Sequence, residues 1–363
     1  MPFPLSSILI LGTRGAGKTS FLEFLKTALA LPPKKRSKKT EEDDFQMPAP
    51  ASGNFIPHYL ETEIDGERVG LTLWDSEGLE KNLVDLQLRE MSSFLESKFE
   101  ETFTEEMKVV RSPGVQDTHI HAAFLVLDPS RLDRNIAAGR KMSNFHQNGH
   151  HSNGIVSGAL DDGIDMPVLR LLQGKTTVIP VISKADTVTT KHMNVLKKAV
   201  WSSLKKSNMD PLEALGLDDE DGNSVSSSRI DEKEEDGFED DADDSDEIER
   251  DIRPSASASP NSKRLSVQSV RRHRVDEYGL EEETPFLPLS IISPDLYEPG
   301  VVGRQFPWGF ADPYNEEHCD FTRLKEAVFS EWRGDLRVAS REQWYEGWRT
   351  NRLKHKNLPY RRH

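Results

Sequence analysis

Residues Gly12 to Thr19 read GTRGAGKT and match G-x-x-x-x-G-K-[ST], a loop whose backbone amides wrap phosphate groups. No other stretch limits the fold so tightly. The loop works only between a buried strand and a helix, whose N-terminus adds its positive end to the site. The apolar run from Ser7 to Leu11 precedes it, and Phe21 to Leu29 follows with apolar residues at helical spacing. In this reading Gly12, Thr13, Arg14, Gly15, Ala16, Gly17 and Ser20 line the phosphates. Lys18 reaches the outer phosphates, and the Thr19 hydroxyl ligates Mg²⁺.

Two further motifs follow in order. Tyr59–Ile64 and Val69–Trp74 alternate polar and apolar residues around Asp65-Gly66, which predicts a hairpin. Its second strand runs into Asp75-Ser76-Glu77-Gly78, a D-x-x-G pattern. There Asp75 is expected to hold Mg²⁺ through water and the Gly78 N–H to meet a γ-phosphate. After a long amphipathic helix from Val84 to about Val110, His119–Asp128 is an apolar strand ending in a carboxylate. Thr177–Ile182 is another, and it leads into Ser183-Lys184-Ala185-Asp186. This fits the N/T/S-K-x-D pattern. The Asp186 carboxylate accepts from two guanine N–H groups that adenine lacks, while the Lys184 stem covers the base. A buried carboxylate left unpaired costs a few kcal/mol, so the pairing discriminates and favours GTP or GDP over ATP.

Strands alternating with helices predict an α/β fold: a doubly wound, mostly parallel sheet of the P-loop NTPase type with a Ras-like GTPase core. Three stretches read as unable to pack: 32–53, 139–163 and 210–283. Without them about 240 of the 363 residues remain, enough for one large domain over 1–353. The net charge of −15 is local. From Asp218 to Asp251 there are 18 acidic and 3 basic residues, and the rest of the chain carries 44 of each. The acidity therefore describes an insertion, not the folded body, and gives no argument for a nucleic-acid partner. A basic segment, Lys34–Lys39, offers a nuclear address or a peripheral membrane contact, although a solvated linker explains it more simply; a basic tail covers 354–363. One cysteine, Cys319, excludes an intramolecular disulfide and fits a reducing compartment. No apolar run is long enough to span a membrane. The histidines at 146, 150 and 151 lack the companion ligands of a zinc site.

Val178 to Thr187 resembles the septin segment around the guanine motif. Gly303-Arg304-Gln305-Phe306-Pro307-Trp308-Gly309, followed by His318-Cys319-Asp320-Phe321, resembles an element peculiar to septins. Asp117–Ala122 is similar to the D-T-R-[IV]-H-A stretch of that family. The resemblance implies a GTPase domain with a septin-type C-terminal extension that assembles with other septin-like subunits into hetero-oligomers or filaments. By it, the chain is cytoplasmic and cytoskeletal, at the cell cortex or division septum. It also places Arg304 on or near the guanine and Ser293 beside the base, where the family usually carries glycine. Trp308 and Phe321 read equally as buried aromatics that anchor the C-terminal helices.

The chain departs from the family where hydrolysis is organised. It has Asp75-Ser76-Glu77-Gly78-Leu79-Glu80 in place of D-T-P-G-F-G. The switch-threonine position falls near Tyr59, with Thr62 the nearest threonine, and no glutamine follows Gly78. No heptad segment follows the last helix, so coiled-coil bundling there is not expected. The expectation is GTP/GDP and Mg²⁺ binding with slow or absent hydrolysis. A monomeric GTPase switch and a nucleotide-free scaffold remain as alternatives.

Overall fold

The computed structural model describes residues 4–31, 54–108, 118–146, 158–212, 215, 285–293 and 302–356. The basic segment at 34–39, the histidines at 150 and 151, and the acidic insertion beyond residue 215 lie outside the described residues.

A six-stranded sheet carries the fold. Its strands are β1 (Pro4–Gly12), β2 (Phe55–Ile64), β3 (Glu67–Ser76), β4 (Ala122–Leu127), β5 (Thr177–Ile182) and β6 (Leu289–Ser290), in the spatial order β2-β3-β1-β4-β5-β6. All neighbours run parallel except β2, which pairs antiparallel with β3 through the turn at Asp65 and Gly66. Every residue of β4 and β5 is buried, as continuous apolar strands in a parallel sheet require.

Helices cover both faces. Leu9 pairs with Trp74 and Ile10 with Phe124, so Trp74 and Phe124 point to opposite faces. Phe124 meets Phe21 of α1 (Lys18–Leu29), whereas Trp74 meets Phe94 of α2 (Val84–Glu106). The sheet is therefore doubly wound, as expected. The helix α4 (Asp165–Leu172) packs on β5 and α2, and α5 (Thr190–Lys206) follows the Ser183–Asp186 motif. Thr189 caps α5, its hydroxyl accepting from His192 N–H at 3.4 Å.

Three expectations change. The loop expected over 139–163 begins as a helix, α3 (Pro129–His146), and returns with Ala159 and Leu160 buried in the core. Polar and small residues on α3 hid its period: among its described side chains, Leu132 is the one fully buried aliphatic. Low complexity likewise starts later than residue 210, since Leu212 is 5% exposed and packs in the core. Finally, the two C-terminal helices expected at 321–332 and 341–353 are one helical run interrupted at Trp332. It comprises α6 (Phe321–Leu324), a π-helical stretch Lys325–Glu331, α7 (Arg333–Val338), a second π stretch Ala339–Tyr345 and α8 (Glu346–Lys356). The wider π turns re-aim side chains that α spacing would not bury together, and Trp332 and Tyr345 are both fully buried. This run passes from Phe24 of α1, past the hairpin turn at Asp65, to Phe99 of α2.

Candidate nucleotide-binding site

The loop ends of β1, β3, β4 and β5 lie along one edge of the sheet, because their registers are level: Ile10 pairs with Asp75, Gly12 with Val126 and Leu127 with Ile182. This places Gly12–Ser20, Asp75–Gly78, Asp128 and Ser183–Asp186 at a common edge, the position at which open α/β sheets bind ligands.

Gly17 caps α1 in the left-handed region, at φ 92°. Lys18 is 8% exposed, and its Nζ donates to the carbonyls of Gly12 at 3.1 Å and Thr13 at 3.4 Å, curling back over its own loop. Burial lowers its pKa, opposed by the charges of Asp75 and Glu77. Thr19 is exposed in the first turn of α1, whereas Ala16 of the loop is fully buried. Arg14 points away: its side chain is 81% exposed and pairs with Glu80 at 2.8 Å. The loop therefore engages Arg14 through its backbone, not its charge.

The D-x-x-G segment lies flush against this loop. Thr13 and Leu79 form a parallel bridge, with Arg14 N–H donating to Leu79 O at 3.2 Å and Leu79 N–H donating to Gly12 O at 3.0 Å. Gln87 of α2, 8% exposed, pins the segment from behind. Its amide nitrogen donates to Gly78 O, and its amide oxygen accepts from Glu80 N–H, both at 3.0 Å. Nothing in the sequence marked Gln87, because a lone polar residue in a helix reads as solvated. Burial raises the pKa of Asp75, with Lys18 and His58 pulling the other way, and its Oδ1 is buried without a hydrogen-bond partner. Such an orphaned carboxylate oxygen beside a phosphate loop suits a cation or its water shell. Among the described residues there is no group of three or more His, Cys, Asp or Glu side chains able to hold a metal by themselves.

The Ser183–Asp186 motif packs directly on the loop. Ser183 Oγ donates to Ala16 O at 2.5 Å, and Lys184 Nζ donates to Gly15 O at 2.8 Å and to Asp128 Oδ1 at 2.9 Å. Lys184 adopts a left-handed backbone, φ 55°, which turns its stem across the loop. Asp128 is the partner whose role the sequence left unassigned; its signal was a carboxylate at the end of an apolar strand. Asp186 has a fully buried side chain with one donor on each oxygen: Ser293 N–H on Oδ1 at 2.8 Å and Arg304 Nη1 on Oδ2 at 2.7 Å. Thus Ser293 and Arg304 both reach Asp186, the residue expected to read the base. The Arg304 guanidinium also stacks over Phe306, 5.0 Å from the ring centre.

Arg304 belongs to a short hairpin, β7 (Arg304–Phe306) and β8 (Gly309–Ala311). Trp308 at its tip is 83% exposed and stacks on Phe306, so it is no buried anchor; Phe321 is. Between this hairpin, α5 and residues 316–320 lies a cavity of about 340 Å³, lined by Asp186, Met193, Ile292, Phe306, Phe310 and Cys319 among others. No residue of the phosphate loop lines it. Its floor is held by Asp320, whose carboxylate accepts from Lys197, from Ser290 N–H at 2.7 Å and from Ser290 Oγ at 2.6 Å. Burial pushes the Cys319 thiol up to about 12, which leaves it unreactive. No described helix is long and apolar enough to cross a membrane.

The family profile described as Septin matches residues 157–235 and 277–362. Cell division control protein 11 of Saccharomyces cerevisiae is 23% identical over 363 residues, covering 96% of this chain and 66% of the yeast protein. Neuronal-specific septin-3 of Rattus norvegicus is 22% identical, covering 96% of this chain and 75% of its own. A septin GTPase domain from Chlamydomonas reinhardtii aligns with 95% of this chain and 98% of its own at 15% identity and a TM-score of 0.46. The septin-like stretches around Lys184, Trp308 and Asp320 all lie inside the matched segments, and over them the chain is similar to septins.

Proposed function

We propose that this chain is a guanine-nucleotide-binding septin subunit that holds its nucleotide as a structural element of assembly and turns it over slowly or not at all. One observation carries the reading. The base-reading motif is bolted to the phosphate loop by Ser183 on Ala16 and Lys184 on Gly15, with the Asp186 carboxylate buried above. A site built in one piece from both motifs favours a guanine nucleotide. Gly12–Ser20, Lys184, Ala185 and Asp186 would hold it, with Gly78, Ser293 and Arg304 at its borders. Asp75 and Thr19 fit a Mg²⁺ ion, which would neutralise phosphate charge when bound.

Slow turnover is favoured by the surroundings of Gly78. Leu79, 3% exposed, occupies the place after Gly78 and is bonded to the phosphate loop. Gln87 has both amide ends engaged with Gly78 and Glu80. Neither Leu79 nor Gln87 is thereby offered to orient an attacking water. Assembly is favoured by the exposed aromatics Trp308 and Phe310 on the hairpin beside the base site. By its likeness to septins, its partners are other septin-like chains, and its setting is a cytoskeletal structure at the cortex or division septum. Peripheral membrane contact through Lys34–Lys39 is a further part of this reading.

Nucleotide released from purified protein, light scattering with and without GTP, and single-turnover hydrolysis test the proposal together. Bound GDP or GTP in particles larger than a monomer supports it. Phosphate release faster than about one per minute would sink the slow-turnover claim. A nucleotide-free preparation that does not take up GTP would sink the rest.

A further inference from the structure

We infer that Arg304 is a gate on the guanine subsite, holding Asp186 closed until a base displaces it and so tying base recognition to the position of the β7–β8 hairpin. The inference rests on the guanine-site reading above. Asp186 has two oxygens, and each already holds a donor. One donor, Ser293 N–H, is backbone. The other, Arg304 Nη1, ends a long side chain that is 37% exposed and able to swing away. A guanine edge brings two N–H donors to the same carboxylate, and the arginine is the donor that can yield its place. Its charge makes the closed contact a strong one, because charge-assisted pairs to a buried carboxylate outlast neutral hydrogen bonds.

The hairpin is built to move when that contact breaks. Arg304 opens β7, and its pairing with Asp186 ties the strand to the body of the domain. The hairpin is only two three-residue strands, with Trp308 and Phe310 largely outside the core. Beneath it lies the cavity of about 340 Å³, so Phe306 and Phe310 have space to shift into. Gly303 precedes Arg304 at φ 134°, a backbone state that side-chain-bearing residues rarely adopt, and a Cβ there would lie 2.3 Å from Phe310 Cζ. A glycine pivot, a single ionic latch and an unfilled space below are the parts of a hinged flap. Binding of the base would then be reported at the surface by the exposed face of Trp308.

The gate has kinetic consequences that a residue merely stacked on the base would not have. A closed latch taxes association, since only the open fraction admits ligand. Mant-GDP mixed with nucleotide-free wild-type protein should therefore bind at a rate that levels off as its concentration rises. Arg304→Ala should bind roughly tenfold faster at the plateau, without levelling off. Arg304→Lys should restore part of the delay. In the absence of any nucleotide, Arg304→Ala should also speed hydrogen exchange of the backbone amides from 304 to 311. Equal or slower association by Arg304→Ala would overturn the gate and leave the guanine site standing. So would unchanged hairpin exchange without nucleotide. Failure of wild-type and variant alike to bind mant-GDP would overturn the guanine-site reading, and the gate with it.

Discussion

Gly78 and Arg14 approach so closely that a Cβ built on Gly78 lies 2.9 Å from Arg14 Cα and 3.1 Å from its backbone nitrogen. The neighbour is backbone held at Leu79, so it has little room to retreat. Gly78→Ala should therefore part the D-x-x-G segment from the phosphate loop and cost about 1–3 kcal/mol of stability. Loss of the Thr13–Leu79 bridge should also weaken nucleotide binding. Thermal melting and mant-GDP titration check both effects. A variant that melts and binds like wild type would mean that the segment is not seated on the loop.

Asp186→Asn replaces an acceptor by an amide that donates from one of its two positions. Guanine N–H groups then meet a donor, and affinity for GDP should fall about a hundredfold or more. Xanthosine diphosphate, which carries a carbonyl where guanine has its amino group, should lose far less and can gain. The base series is the measurement that matters, because Asp186 also anchors Ser293 and Arg304. A uniform loss across GDP, XDP and ADP would point to a disturbed hairpin. A change of preference toward xanthine would identify a base-reading carboxylate.

The fold was legible from the sequence wherever burial and period coincide. Residues 177–182 and 122–127 are buried on both faces, so their apolar runs announced strands. The hairpin turn at Asp65 and Gly66 was announced by residues that tolerate positive φ. What stayed hidden depends on contacts between distant segments. Gln87 matters because Gly78 and Glu80 lie beside it, and Asp128 because Lys184 crosses to it. The π-helical stretches were illegible for another reason: their spacing is that of neither an α-helix nor a strand. Trp308 shows the limit of reading an aromatic as core, since only the path of the hairpin decides which way its ring faces.

Asp320 is the acidic member of the septin-like His318-Cys319-Asp320-Phe321 stretch, and the structure gives it a structural task. It is 4% exposed, and Lys197, 6% exposed, has it as a salt-bridge partner. Burial alone would raise its pKa, but Lys197, Ser290 and Arg323 hold it below the ordinary 3.8. Asp320→Asn should cost about 3–5 kcal/mol by leaving a buried ammonium without its counter-charge. The sign of the pH effect follows from the lowered pKa. The carboxylate's contribution is present above about pH 4 and is lost as pH falls further, through its folded value. Urea melts of both proteins from pH 3 to 7 check this, with the difference between them shrinking at the acid end. A constant difference would show that the charge is not what the pair contributes.

His119 stands where the D-T-R-[IV]-H-A pattern has arginine, and it is fully buried with neither ring nitrogen hydrogen-bonded. Its ring lies 4.6 Å from Tyr345 and 5.1 Å from Phe99, in an aromatic setting between α2 and the C-terminal run. Burial, helped by the charge of Arg341, lowers its pKa from 6.5 to about 4. A histidine lowered in this way is neutral when folded and protonated when unfolded across that interval. Stability is therefore complete above about pH 6.5 and declines as pH falls toward 4, by about 3 kcal/mol at most from this group. His119→Phe keeps the ring contacts and removes the titration, so its stability should decline less between those two values. The quantity to measure is the wild-type minus variant difference in unfolding free energy at pH 7 and pH 4.5, which cancels the other carboxylates and histidines. An unchanged difference would mean that His119 finds a proton acceptor in the fold and titrates normally there.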